Sequence, residues 1–245
     1  MTYCLAMRLD EGLVFLSDTR TNAGLDNIST YRKLHVFRPA PDRLFVLQSA
    51  GNLATTQEVL DRIDADLAAV DGRESMATVA HIFEAALYVG RLSQQVGAAH
   101  RHALGANGSA TFILGGQLGE APPDILLVYP EGNYIRASDD RPFLQIGESK
   151  YGKFMLDIAI LADTDLMTSL KIALGSMMST ARANLGVGPP YDGATLRSDG
   201  ARKLVEFRVE DGSPTLAQLH EMWERHLHNA VAELPSIAPG EIGPI

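Results

Sequence analysis

Apolar residues in this chain repeat with a period of two over long stretches, then with a period near 3.6, and the two regimes change over only a few times. Period two runs through Tyr3–Leu9, Leu13–Asp18, Tyr31–Phe37 and Leu44–Gln48, which read as strands. A helical stripe follows at Leu53, Val59, Leu60, Ile63 and Leu67, and a second at Met76, Val79, Phe83, Ala86 and Leu87. The turn Gly105–Gly108 ends that pair. Strands return at Ala110–Leu114, Ile125–Tyr129, Tyr134–Ala137 and Phe143–Ile146. Helices are predicted over Tyr151–Leu161 and along Leu166, Leu170, Leu174, Met177, Met178 and Ala181. A loop at Leu185–Gly193, a strand at Leu204–Val209 and a helix at Thr215–Ala232 complete the pattern. A doubly wound sheet requires single strands and single helices in alternation. Segregated blocks instead predict an α+β fold in which packed sheets are flanked by helices. No Pro/Gly/Ser-rich linker separates two cores, so residues 1–245 are expected to be a single domain, with 235–245 an extended tail.

Composition narrows the function classes. With 46% hydrophobic residues the chain can bury a large core and is not intrinsically disordered. Its net charge of −9 argues against nonspecific binding to nucleic acid or to an anionic membrane surface. Cys4 is the single cysteine, so no intrachain disulfide can form. Arg8, Asp10 and Glu11 interrupt the apolar start before a signal sequence develops, and no apolar run reaches membrane-spanning length. The expected location is cytoplasmic.

Several familiar signals do not carry chemistry. Gly147-Glu-Ser-Lys-Tyr-Gly152-Lys153-Phe154 begins like a phosphate-binding loop but has Phe154 where a hydroxyl must reach magnesium. His220, His226 and His228 lack the four-residue spacing, with an intervening Glu, of a zinc-hydrolase helix and fit a solvated or partner-facing helix. His100-Arg101-His102 suits the C-terminal end of a helix. No Gly-x-Ser-x-Gly elbow occurs. Neither a metal nor a cofactor is expected.

One constellation does carry chemistry. Thr2 follows the initiator, and a small second residue permits removal of Met1. The freed α-amine has a reference pKa of about 7.7–8.0, so it can take the proton of its own hydroxyl. Asp10-Glu11-Gly12 reads as a three-residue hairpin loop, a register in which Leu9 faces Leu13 and Cys4 faces Asp18. Thr2, Asp18 and Arg20 then share one face at the open end. Lys33 could keep the amine neutral and stabilise negative charge, with Asp18 holding it in place. Gly51 closes a strand and opens a helix, where a backbone N–H can serve an oxyanion.

An N-terminal Thr, the Ser17-Asp18-Thr19-Arg20 hairpin end, Lys33 and the Ala50-Gly51 junction together resemble the proteasome β subunit. The opening Thr2-Tyr-Cys-Leu-Ala-Met, Ser109-Ala-Thr-Phe-Ile-Leu-Gly-Gly116 and Asn184-Leu-Gly-Val-Gly-Pro-Pro190 resemble most the bacterial proteasome-related group Anbu, the ancestral β subunit. The resemblance spans nearly the whole chain. It implies a four-layer αββα fold of the N-terminal-nucleophile hydrolase type. Thr2 would be the nucleophile and its amine the base, Asp18 and Lys33 the electrostatic pair, and the Gly51 N–H the oxyanion donor. Thr21, Tyr31, Ser49 and Leu53 would line the first specificity pocket, with Arg20 beside them, and Ser149 would orient the amine and a water. Asn184 stands where the family pattern has an Asp, and Gly186-Val187 where it has a Ser, so the base is tuned by a neutral group.

The implied activity is that of a threonine peptidase or amide hydrolase acting on a peptide or protein. It would work inside a ring or spiral homo-oligomer, with an unfoldase or adaptor as a further partner. The alternatives are an amidase or acyl-transferase on the same fold, and a noncatalytic proteasome-like assembly protein.

Overall fold

Leu9 and Gly12 face one another across a two-residue turn, Asp10-Glu11, in a computed structural model of the chain. That turn joins β1 (Tyr3–Leu9) to β2 (Gly12–Asp18) and sets Cys4 opposite Ser17. The expected three-residue loop is therefore corrected by one position, and Asp18 falls opposite residue 3. Gly12 is required for a different reason than a loop bulge. At φ +144° a Cβ there would lie 1.9 Å from the Leu196 carbonyl oxygen of the neighbouring strand. Gly12→Ala is expected to lower stability by about 2 kcal/mol or more through this clash and the strained dihedral. A urea unfolding midpoint reads the loss.

The structure describes residues 1–22, 28–104, 108–198 and 203–236. The chain divides into two compact units, Met1–Asp211 and Gly212–Ile245. The first unit holds all the described strands. These are β3 (Arg20–Asn22), β4 (Ile28–Thr30), β5 (Leu34–Ala40), β6 (Arg43–Gly51), β7 (Ala110–Leu118), β8 (Asp124–Val128), β9 (Tyr134–Arg136), β10 (Phe143–Gly147), β11 (Tyr191–Arg197) and β12 (Leu204–Val209), with β1 and β2. They form two five-stranded sheets, β10-β1-β2-β11-β12 and β5-β6-β7-β8-β9, and a two-stranded ribbon, β3-β4. Every pairing is antiparallel.

The period of two has a direct structural meaning. Along β6, Leu44 and Val46 point into an apolar layer shared with Cys4, Ala6, Phe15 and Ala194 of the other sheet. Phe45 and Leu47 point the opposite way, onto α1 (Leu53–Ala68) and α2 (Ile82–Leu104). β8 divides likewise, with Ile125 and Leu127 on one side and Leu126 and Val128 on the other. Helix α4 (Leu166–Ala183) packs on β1 and β2 and carries α3 (Lys150–Ala159) against it. Strands covered on both faces read as near-continuous apolar runs, as β2 does from Leu13 to Leu16 before its polar end at Ser17 and Asp18. Asn52 caps α1 by accepting from Thr55 N at 3.0 Å, and Asp165 caps α4 through Thr168 N at 2.9 Å.

Other expectations shift in detail. The strand expected over Tyr31–Phe37 begins only at Leu34, because residues 31–33 leave the ladder. Met76 and Val79 are buried, yet they lie in the irregular segment before α2. Tyr191–Arg197, expected to be partly loop, is a central strand between β2 and β12. The turn expected at Gly105–Gly108 and the tail at Pro235–Ile245 lie largely outside the described residues. In the second unit, α5 (Pro214–Ala232) starts with Pro214 just after Ser213, and among its residues Leu219 alone is buried. His220, His226 and His228 on it are exposed.

Candidate active site

Asp18 ends β2 with no exposed surface and gathers several donors, the Gly188 backbone N–H among them. Its Oδ1 accepts from Tyr3 N at 2.9 Å and from Lys33 Nζ at 2.7 Å, and its Oδ2 accepts from Arg20 N at 3.1 Å. The first of these bonds closes the open end of the hairpin through a side chain and so fixes the residue next to Thr2. Burial pushes the Asp18 carboxyl up from the ordinary carboxylate value, and the Lys33 ammonium with the other donors pulls against it.

Lys33 is 4% exposed. The segment that carries it is pinned on both sides, since Tyr31 N donates to Thr19 O at 2.8 Å and Ser49 N donates to Lys33 O at 3.1 Å. Besides Asp18, its Nζ donates to Arg20 O at 2.6 Å. An ammonium has three N–H groups. Two are committed, and the third has no partner among the described residues.

A pocket of about 650 Å³ opens over this arrangement. It is lined by Thr2, Lys33 and Gly51, and by Arg20, Thr21, Tyr31, Ser49 and Leu53. Thr2 is half-buried, and its hydroxyl makes no hydrogen bond to a described residue. Gly51 is the last residue of β6, at φ +113°, where a Cβ would sit 2.5 Å from Ser109 O. Asn52 N donates to that same oxygen at 2.9 Å, which holds the strand-to-helix junction at the pocket wall. Behind the site, Tyr3 OH meets Ser176 Oγ at 2.7 Å and takes a further hydrogen bond from Gln145, and burial pushes its pKa up to about 12. This network anchors the first strand from the helical side. Cys4 is no rival nucleophile, because its thiol is fully buried and burial pushes its pKa well up.

Two residues singled out from sequence stand apart from the pocket wall. Ser149 precedes α3, with its N–H bonded to Gly147 O at 3.0 Å and its hydroxyl bonded to no described residue. Asn184 caps the C-terminal end of α4, and its Nδ2 donates to Glu148 Oε2 at 3.1 Å. Glu148 itself lines the pocket and was missed by sequence reasoning, as were Ser109, Asn52 and Thr56. Pairing of Tyr3 with Gly147 and of Gly51 with Ala110 brings the first two there. That long-range register is not readable from local pattern.

Among the described residues no group of three or more His, Cys, Asp or Glu side chains is placed to hold a metal ion. No described helix is long and apolar enough to cross a membrane.

No protein-family model and no curated protein matches the chain. Solved structures do. The helical assembly of the Anbu complex from Pseudomonas aeruginosa has a subunit 39% identical to this chain, with a TM-score of 0.92 over 98% of this chain and 100% of that one. Anbu from Yersinia bercovieri is 38% identical, with a TM-score of 0.87 over 97% and 99% of the two chains. Anbu from Hyphomicrobium sp. strain MC1 is likewise 38% identical, with a TM-score of 0.87 over 97% and 100%. Near-complete coverage in both directions at this identity, together with the Thr2, Asp18, Lys33 and Gly51 arrangement, leads to one conclusion: the chain belongs to the Anbu, or ancestral β-subunit, family of proteasome-related proteins.

Proposed function

We propose that this protein is an N-terminal threonine hydrolase that cleaves peptide or protein amides, on a four-layer αββα fold of the N-terminal-nucleophile type. The observation that carries the proposal is the Lys33 ammonium, fixed by Asp18 Oδ1 and Arg20 O at the wall of the pocket shared with Thr2, with one N–H uncommitted. Removal of Met1 leaves Thr2 with a free α-amine. The amine takes the hydroxyl proton as Oγ attacks the amide carbonyl. The Gly51 N–H meets the oxyanion, and Lys33 opposes the charge that develops. The C–N bond then breaks. The leaving amine takes its proton from the α-ammonium, and an ester to Thr2 remains. Water, deprotonated by the same amine, hydrolyses that ester and frees Oγ. Arg20, Thr21, Tyr31, Ser49 and Leu53 form the surface that receives the substrate side chain, and Ser149 orients the amine and a water.

The Pseudomonas aeruginosa relative forms a helical assembly. By that likeness this chain self-associates into a ring or spiral in the cytoplasm, its substrate delivered by an unfoldase or adaptor. The test is mass analysis of protein purified from its own cell, before and after an electrophile that captures a hydroxyl and its adjacent amine. The expected result is loss of Met1 and one adduct, located on Thr2. Retention of Met1 across the population, or an adduct elsewhere, overturns the proposal.

A further inference from the structure

Resting on Thr2 as the nucleophile, we infer that Glu148 is a positioning residue for the Thr2 α-amine and that Asn184 holds it to that role. The backbone sets the two side by side. Tyr3 pairs with Gly147 where β1 meets β10, and Glu148 N donates to Thr2 O at 2.7 Å. Gly147 takes φ +82°, and a Cβ there would lie 2.0 Å from Thr2 O. Only a glycine lets the chain press this closely on residue 2. The side chain is then directed from the other end of the site. Asn184 has both ends of its amide committed, with Nδ2 donating to Glu148 Oε2 at 3.1 Å and Oδ1 accepting from Gly186 N at 2.9 Å. Its own N–H is tied to Thr180 O at 2.9 Å. The partner is neutral, so no described cation is paired with Glu148, and its Oε1 receives no hydrogen bond from a described residue.

Such a carboxylate has work to do in the reaction. When the amine takes the proton of Oγ it becomes an ammonium with three N–H groups, and a fixed acceptor lining the same pocket favours that form. The ionisable groups facing residue 2 are few. Lys33 lines the pocket with Asp18 beneath it, Arg20 comes from β3, Tyr31 from the segment after β4 and Glu148 from the β10–α3 junction. The start of α1 contributes Asn52, Leu53 and Thr56, none of which titrates. Lys33 and Arg20 lower the basicity of the amine. Glu148, unlike Asp18, is not spent on a cation, and it raises that basicity back toward neutral.

Glu148→Gln removes the charge while keeping an oxygen for Asn184 Nδ2. The Thr2 amine pKa should fall by about one unit. The acidic limb of the kcat/KM profile should move to lower pH by the same amount, and the plateau rate above it should drop by about threefold as the base weakens. The amine is titrated directly, by 15N chemical shift, on protein whose mass establishes Thr2 as the first residue. Asn184→Ala, which frees the carboxylate without removing it, should give a smaller shift in the same direction. It decides the matter should Glu148→Gln fail to fold. An unchanged amine pKa in the folded variants overturns the role of Glu148 and leaves Thr2 as nucleophile. Retention of Met1 overturns both.

Discussion

Thr2→Ala is expected to eliminate the proposed amide hydrolysis and to leave self-association unchanged. The expected loss is on the order of 10⁵-fold or more, the scale seen when a nucleophile is deleted from a site whose groups act as a unit. The variant is a clean test for two reasons. Alanine is also a small second residue, so removal of Met1 and a free α-amine remain permitted. The Thr2 hydroxyl is bonded to no described residue, so its deletion opens no buried polar network. Tyr3 N still reaches Asp18, and Glu148 N still reaches the residue 2 carbonyl, since both contacts are independent of the Thr2 side chain. The measurement pairs hydrolysis of a panel of peptidyl amides with sedimentation of the same preparation. Equal turnover by variant and wild type removes Thr2 from the reaction. Loss of turnover together with loss of assembly assigns Thr2 a structural part instead.

The sequence carried the architecture through periodicity, because strands with two covered faces and helices with one covered face leave different marks. It did not carry the register of the first hairpin. Gly12 looked like the third residue of a loop, whereas its positive φ serves the close approach of Leu196 O from β11, a contact between residues far apart in the chain. Strand β11 was obscured for a related reason. Asp192 and Gly193 read as turn residues, but Asp192 is neutralised by Arg208 at 2.7 and 2.9 Å, and a Cβ on Gly193 would lie 2.2 Å from the Phe207 ring. Both are residues a strand accepts only when its neighbour supplies the missing charge or volume.

What the sequence singled out by residue type does come together at one pocket, which Thr2, Lys33 and Gly51 line and where Asp18 holds Lys33. The one-position register error was harmless there, because Asp18 reaches its partners by side chain, not by strand pairing. Glu148 was not legible. A glutamate after a glycine at a strand end is ordinary in sequence, and only the pairing of β1 with β10 makes it a neighbour of residue 2.

Lys33→Ala separates catalysis from stability within one variant. Loss of the ammonium should cost at least about a hundredfold in turnover, the scale of one preorganised electrostatic group. The same change strips Asp18 of its cation. The carboxylate is fully buried, and the backbone donors that remain, Tyr3 N, Arg20 N and Gly188 N, do not neutralise it. An uncompensated buried charge destabilises by roughly 3–5 kcal/mol. Burial already pushes the Asp18 carboxyl above its ordinary value, and removal of Lys33 raises it further. A carboxyl whose folded-state pKa is raised binds its proton more tightly folded than unfolded. Stability is therefore lost as pH rises from the ordinary carboxylate range, about 3.9, through the raised value. The variant should be close to wild type in stability at acid pH and fall progressively behind it toward neutrality. Unfolding midpoints across that range read this directly. A stability penalty independent of pH would mean that Lys33 contributes packing rather than charge, and a rate loss below threefold at matched stability would take it out of the reaction.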